Sequence, residues 1–173
     1  MTIERMKEAG CMARIAILAA GAISAFGATA ALAEDSPTPV RPFEHVSCKN
    51  QPNEIRVTID NVKQSVGLMT IELYRDDPEG FLKKAGREYR VRYAARAPAT
   101  EICLYAPTPG KWAVAAYHDV NANTDFDKNA FGLPAEPYGV SGNPKIRFGP
   151  PPIEEALVDV PESGASIEIR LKN

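Results

Sequence analysis

Between Glu54 and Asp60 the side chains alternate in character: Ile55, Val57 and Ile59 are apolar, while Arg56, Thr58 and Asp60 are polar. A period of two puts each set on its own face of an extended chain, so this stretch predicts a strand with one face in a core and the other towards solvent. The pattern recurs. Gly67 to Tyr74 sets Met69, Ile71 and Leu73 against Thr70 and Glu72, and the residues between, Asn61 to Val66, predict a hairpin joining the two strands. Tyr89, Val91 and Tyr93 then alternate with Arg90 and Arg92, and Thr100 to Tyr105 follows. The turn Pro107-Thr108-Pro109-Gly110 leads into Lys111 to His118, where Trp112, Val114 and Ala116 share a face and Trp112 is expected in the core. Glu155 to Val160 and Ser166 to Leu171 complete seven strands. One short helix is expected after Asp77, a plausible N-cap followed by Pro78 at the first helical position, with Phe81 and Leu82 as an apolar patch and Gly86 as the stop. With 15 Pro and 12 Gly to make turns, the chain reads as all-β. The expected form is an immunoglobulin-like or transthyretin-like β-sandwich of about seven strands.

The first 33 residues do not fit that domain. Lys7 and Arg14 make a positive start, Ile15 to Ala28 is apolar and uncharged, and Ala31-Leu32-Ala33 places small residues where a signal peptidase reads, so cleavage is expected after Ala33. Met12 is a second candidate start. No Cys follows the run to carry a lipid anchor. The competing reading is an uncleaved membrane anchor, for which Ile15 to Ala33 is marginally long enough but too rich in Ala, Gly, Ser and Thr to enter lipid strongly. Export implies a periplasmic or secreted bacterial protein with no membrane span in the mature chain. Residues 34–53, opening with the Pro-rich EDSPTPVRP, form a linker and N-terminal segment, and residues 54–173 form the sandwich. Without the leader the chain keeps 17 basic against 20 acidic residues, a net charge of −3, with no basic cluster, which excludes a nucleic-acid surface. Cys11 leaves with the leader. Cys48 and Cys103 remain, an even pair that an oxidising compartment would join as a disulfide.

The regularity stops between Asp119 and Pro152, a long stretch of the kind that is usually functional, internally packed or disordered. It opens DVNANTDFD, with Asp119, Asn121, Asn123, Asp125 and Asp127 on alternate positions. Oxygen donors at every second residue of a tight loop can converge on one hard cation, which makes these five the candidate calcium ligands and calcium the only candidate cofactor. The pattern departs from an EF-hand loop, which places Gly where Thr124 stands and a bidentate Glu where Ala130 stands; only Glu136 offers a later carboxylate. Any calcium affinity would therefore be weak. The alternative is that these Asp and Asn side chains form Asx-turns with their own backbone.

The run GKWAVAAYHDVNAN from Gly110, then Asp127, FGLP from Phe131, EPYGVS from Glu136 and Asn143-Pro144 resembles the bacterial exported family catalogued as domain of unknown function 2141. The resemblance extends over about Ile55 to Leu171, and Trp112 and Val140 stand where Tyr and Phe are usual. It implies an exported β-sandwich and carries no established activity. On their own chemistry, His118, Asp119 and Ser141 are the residue types of a hydrolase triad, and a small periplasmic hydrolase is the alternative function. Against it, no G-x-S-x-G elbow surrounds Ser141, and His45 and His118 are the only histidines, too few for a zinc site. No catalytic residue is assigned. The preferred reading is a non-enzymatic binding or structural module, with Phe131, Tyr138 and Phe148 of the long loop as candidate contacts to an unknown protein, glycan or small ligand.

Overall fold

The structure, a computed structural model, describes residues 48–145 and 149–172. The expected leader, the linker up to residue 47, His45 and Phe148 lie outside the described residues. Within them the chain is all-β: β1 (Glu54–Asp60), β2 (Leu68–Arg75), β3 (Arg87–Ala94), β4 (Ala99–Tyr105), β5 (Gly110–Asp119), β6 (Tyr138–Val140), β7 (Leu157–Val160) and β8 (Ala165–Arg170). Seven of these fall on the stretches where apolar and polar residues alternate, and β6 is additional, lying inside the segment that lacks alternation. The segment after Asp77 is a series of turns ending in one 3-10 turn, Lys84–Gly86, rather than an α-helix. Asp77 does accept the Glu79 N–H (3.0 Å), but Leu82 adopts a left-handed φ of 58°, which no helix continues.

The strands form two sheets, one ordered β4-β1-β8 and the other β3-β2-β5-β6, with β7 also paired to β5. Their facing sides meet in one apolar core: Ile55, Val57 and Ile59 of β1, with Ile102, Leu104 and Ile169, pack against Met69, Ile71 and Leu73 of β2 and Trp112, Val114 and Ala116 of β5. Trp112 is buried as expected, and its indole N–H donates to the Thr108 carbonyl (2.9 Å), which satisfies the one polar group a buried Trp carries.

β1 and β2 do not form the expected hairpin. β1 is antiparallel to β4 and parallel to β8, so both its edges are taken, and the chain crosses to the other sheet to begin β2. Along that crossing Val62 is buried in the core, and the Asn61 amide donates to the Leu171 carbonyl (2.7 Å). The crossing ends at Gly67, whose φ is 67° and where a Cβ would fall on the backbone of Asp119 and Val120. Glycine is required there on both counts.

β5 runs through the middle of its sheet, with β2 along one edge and β7 and β6 in tandem along the other: β7 pairs with Gly110–Ala113, and β6 with Ala115–Tyr117. β6 also reaches the opposite sheet. Tyr138 exchanges both backbone hydrogen bonds with Lys172 (2.9 and 2.8 Å), and Gly139 passes so close to β8 that a Cβ would meet the Arg170 carbonyl. The outer face of the larger sheet carries a second apolar cluster of Tyr74, Phe81, Ala113, Ala115, Val140, Ile153 and Ala156. Cys48 and Cys103 form the expected disulfide, with their Cα atoms 5.5 Å apart, which ties the segment before β1 to β4.

Candidate functional site

The long loop leaves the sheet at Asp119, the last residue of β5, whose carboxylate is fully buried. Asp119 Oδ1 accepts the Asn123 N–H (3.1 Å) and Oδ2 accepts the Thr124 N–H (2.8 Å), so one side chain holds the first turn of the loop by its backbone. The turn is tight enough to place Ala122 and Thr124 at left-handed φ values of 56° and 71°. Thr124 thus occupies the backbone conformation for which a calcium loop uses Gly. Two Asx-turns follow, Asn121 Oδ1 accepting from Asn123 N (3.0 Å) and Asn123 Oδ1 from Asp125 N (2.9 Å). The amide groups of Asn121 and Asn123 both donate to the Asp127 carboxylate (2.8 and 3.1 Å). Asp125 is exposed, and its carboxylate makes no hydrogen bond among the described residues.

Glu136 closes this arrangement from the far end. It is only 6% exposed, its Oε2 accepts the Asp127 N–H (3.2 Å), and its Oε1 has no partner among the described residues. Burial raises its pKa to about 7; the hydrogen bond from Asp127 N–H opposes that rise, and the neighbouring charges of Asp119 and Asp127 add to it. Among the described residues the one group of three potential metal ligands within 4.8 Å of each other is Cys48, Glu54 and Cys103. Its sulfurs are joined in the disulfide. The loop carboxylates are not gathered into one coordination sphere.

On the sheet side the loop rests on residues whose polarity suggested an outward, solvated face. Arg92 of β3 and Tyr117 of β5 both lie opposite Thr70 of β2, forming a single row across three strands, and all three are buried. Arg92 Nη2 donates to the Thr124 carbonyl (2.9 Å), and the Tyr117 ring packs on Phe126 (centroids 5.0 Å), which in turn meets Tyr138 edge-on (6.0 Å). The Thr70 hydroxyl, Arg92 Nε and Tyr117 hydroxyl have no hydrogen-bond partner among the described residues. One row further along, Glu72 is buried between Arg87 (2.8 Å) and Arg90 (2.6 Å) and also accepts the Tyr74 hydroxyl. Burial and the Glu72 charge hold the Tyr74 hydroxyl well above its ordinary pKa. The row Thr70–Arg92–Tyr117 was not legible as a site, because strict alternation assigns those residues to solvent. The only signal for it is the length of the loop that covers them.

Past Asp127 the loop turns back on itself. Lys128 and Pro134 form a β-bridge, Asn129 N donates to the Leu133 carbonyl (2.8 Å), and Asn129 Oδ1 accepts from Phe131 N (2.9 Å) and Leu133 N (3.1 Å). At its tip Phe131 is 89% exposed and Leu133 is 60% exposed. Of the three candidate contact aromatics, Phe131 is thus displayed, Tyr138 is half-buried against Phe126, and Phe148 lies outside the described residues. Leu133 was not singled out by sequence, although an apolar residue between Gly132 and Pro134 in a polar loop was a usable signal.

His118, Asp119 and Ser141 are not hydrogen-bonded to one another. His118 Nε2 lies 2.7 Å from the Val66 carbonyl, an acceptor only, so Nε2 carries the hydrogen and is not free as a base. Ser141 is fully buried. Its hydroxyl donates to the Ala156 carbonyl (2.5 Å) and accepts the Val114 N–H (2.9 Å), while its own N–H donates to the Val114 carbonyl (2.8 Å). Ser141 therefore fills the gap between β6 and β7 on the edge of β5, supplying the ladder bonds that neither strand provides. That role explains a Ser at this position without chemistry.

No curated protein and no solved structure matches the chain. Residues 57–168, running from β1 into β8, match the model of a family described as an uncharacterized protein conserved in bacteria (DUF2141), and with the Gly110–Asn143 motifs placed along β5, its loop and β6, the chain belongs to that family.

Proposed function

We propose that the protein is an exported, non-enzymatic binding module, a disulfide-tied β-sandwich that presents the tip of the loop between β5 and β6 to a partner outside the cytoplasm. The observation that carries this reading is the pair Phe131 and Leu133, held in water on a braced turn. Leaving apolar surface exposed forgoes roughly 25 cal/mol per Å² of burial, and an exposed aromatic on a rigid loop is a common anchor for a protein or glycan surface. The Cys48–Cys103 disulfide and the leader-like first 33 residues support export. The separate engagements of His118, Asp119 and Ser141 favour binding over the hydrolase alternative.

Wild-type protein and a Phe131→Ser, Leu133→Ser double variant, immobilised and exposed to periplasmic extract and to a glycan panel, would decide the reading. A species retained by the wild type and released by the double variant, with both melting at the same temperature, is the expected result. Equal retention by both, or retention by neither, would sink it. The compartment has its own check: the N-terminus of protein recovered from a periplasmic fraction is expected to be Glu34, whereas an intact Met1 in the cytoplasmic fraction would refute export.

A further inference from the structure

We propose that Glu136, together with Asp119 and Asp127, forms a binding site for a hard divalent cation, calcium in the first instance, at the base of the loop between β5 and β6. The proposal stands apart from the binding role of the Phe131 tip. It redraws the ligand set expected from sequence, adding Glu136 and leaving out exposed Asp125.

Three observations support it. Glu136 Oε1 is an unpartnered carboxylate oxygen on a side chain only 6% exposed, and a buried acceptor without a donor is costly unless something fills its place. Glu136 is joined through the Asp127 N–H to a loop that already carries two more carboxylates, those of Asp119 and Asp127. No Lys or Arg ion pair reaches any of the three among the described residues. Arg92, the guanidinium that reaches the loop, donates its Nη2 to the neutral Thr124 carbonyl. Three acidic groups with no ion-pair partner among the described residues leave negative charge that a bound cation would neutralise. The donors on offer are all oxygen, from carboxylates and the Asn121 and Asn123 amides, which selects calcium or magnesium over zinc or copper. Calcium is favoured over magnesium because it tolerates irregular, many-ligand oxygen cages, whereas magnesium demands a near-ideal octahedron.

The three carboxylates do not yet converge on one point, so the cation must draw Asp127 and Glu136 inward and displace the Asn amides now donating to Asp127. That rearrangement sets a weak affinity, at about the 10⁻⁴–10⁻³ M level of extracellular calcium modules.

The full chain is melted in EDTA and then in 5 mM calcium, beside the same ramp in 5 mM magnesium, for wild type, Glu136→Gln and Asp125→Asn. The expected result is a rise in midpoint of several degrees with calcium in wild type and Asp125→Asn, a much smaller rise with magnesium, and loss of the calcium effect in Glu136→Gln. In EDTA, Glu136→Gln is expected to melt no lower than wild type, since an amide replaces an uncompensated carboxylate. No calcium shift in wild type, or an undiminished shift in Glu136→Gln, overturns the site. Should Glu136→Gln fail to fold, equilibrium dialysis of the wild type against radioactive calcium decides: one ion bound per chain at millimolar concentration upholds the site, and none refutes it. Because these readouts are independent of partner capture by Phe131, failure of one proposal leaves the other standing.

Discussion

In Glu136 burial and neighbouring negative charge both disfavour ionisation, while the hydrogen bond from the Asp127 N–H favours it. The outcome, a pKa near 7 against an ordinary 4.5, means that the folded state holds a proton over a range where the unfolded chain has lost it. A group that binds protons more tightly when folded stabilises the fold at low pH, and that stability is lost as pH rises through about 4.5 to 7. In calcium-free buffer the difference in unfolding free energy between wild type and Glu136→Gln should therefore shift against wild type as pH rises across that window, read from urea melts at several pH values. A pH-independent difference would show that Glu136 does not titrate in this way. Thr124 carries strain of a different kind. A β-branched residue at φ 71° is costly, whereas glycine adopts that angle freely, and the bonds holding Thr124 run through its backbone N–H and carbonyl. Thr124→Gly is expected to stabilise the protein by about 1 kcal/mol in the same denaturation assay.

The elements show why the loop between β5 and β6 is long. It covers the outer face of the larger sheet with Phe126 on Tyr117, and beyond it β6 and β7 complete the far edge of β5 in two pieces. β2 is buried along both faces for seven of its eight residues, although its sequence alternates as a half-buried strand would. Alternation correctly located the strand and its core face, but it could not report that chain distant in sequence would be laid over the polar face. Ser141 is what makes the two-piece edge continuous, so Ser141→Ala leaves the buried Val114 N–H without an acceptor. That should cost about 1–3 kcal/mol, measured by chemical unfolding, with no other change in the strand ladder. A loss near zero would mean that the two edge strands do not depend on Ser141. The same logic accounts for the hairpin that did not form. Turn residues lie between β1 and β2, but pairing is decided by which edges are free, and β1 has none left once β4 and β8 are in place.

At the scale of the whole domain, the disulfide joins positions separated by 55 residues and attaches the segment at Cys48 to β4. In the chain-entropy model such a loop contributes about 4 kcal/mol by restricting the unfolded chain, so a Cys48→Ala, Cys103→Ala variant should unfold that much more easily, with melts of wild type in reducing agent approaching it. Among the described residues no helix is long and apolar enough to cross a membrane. Sequence by itself determined what depends on near neighbours: seven of the strands and their core faces, the Trp112 core position and the cysteine pair, while for the DVNANTDFD run it offered calcium ligation and Asx-turns side by side, and the turns are what the structure shows. These follow from a period of two and from hydrogen bonds spanning two to five residues. Only the tertiary structure decided which strands became neighbours, that Arg92 and Tyr117 are covered rather than solvated, and that Glu136 ends up buried against Asp127 with one oxygen unpartnered among the described residues. Those outcomes depend on contacts between residues far apart in the chain, where the competition for strand edges and for burial is settled by the packing of the whole domain rather than by any local pattern.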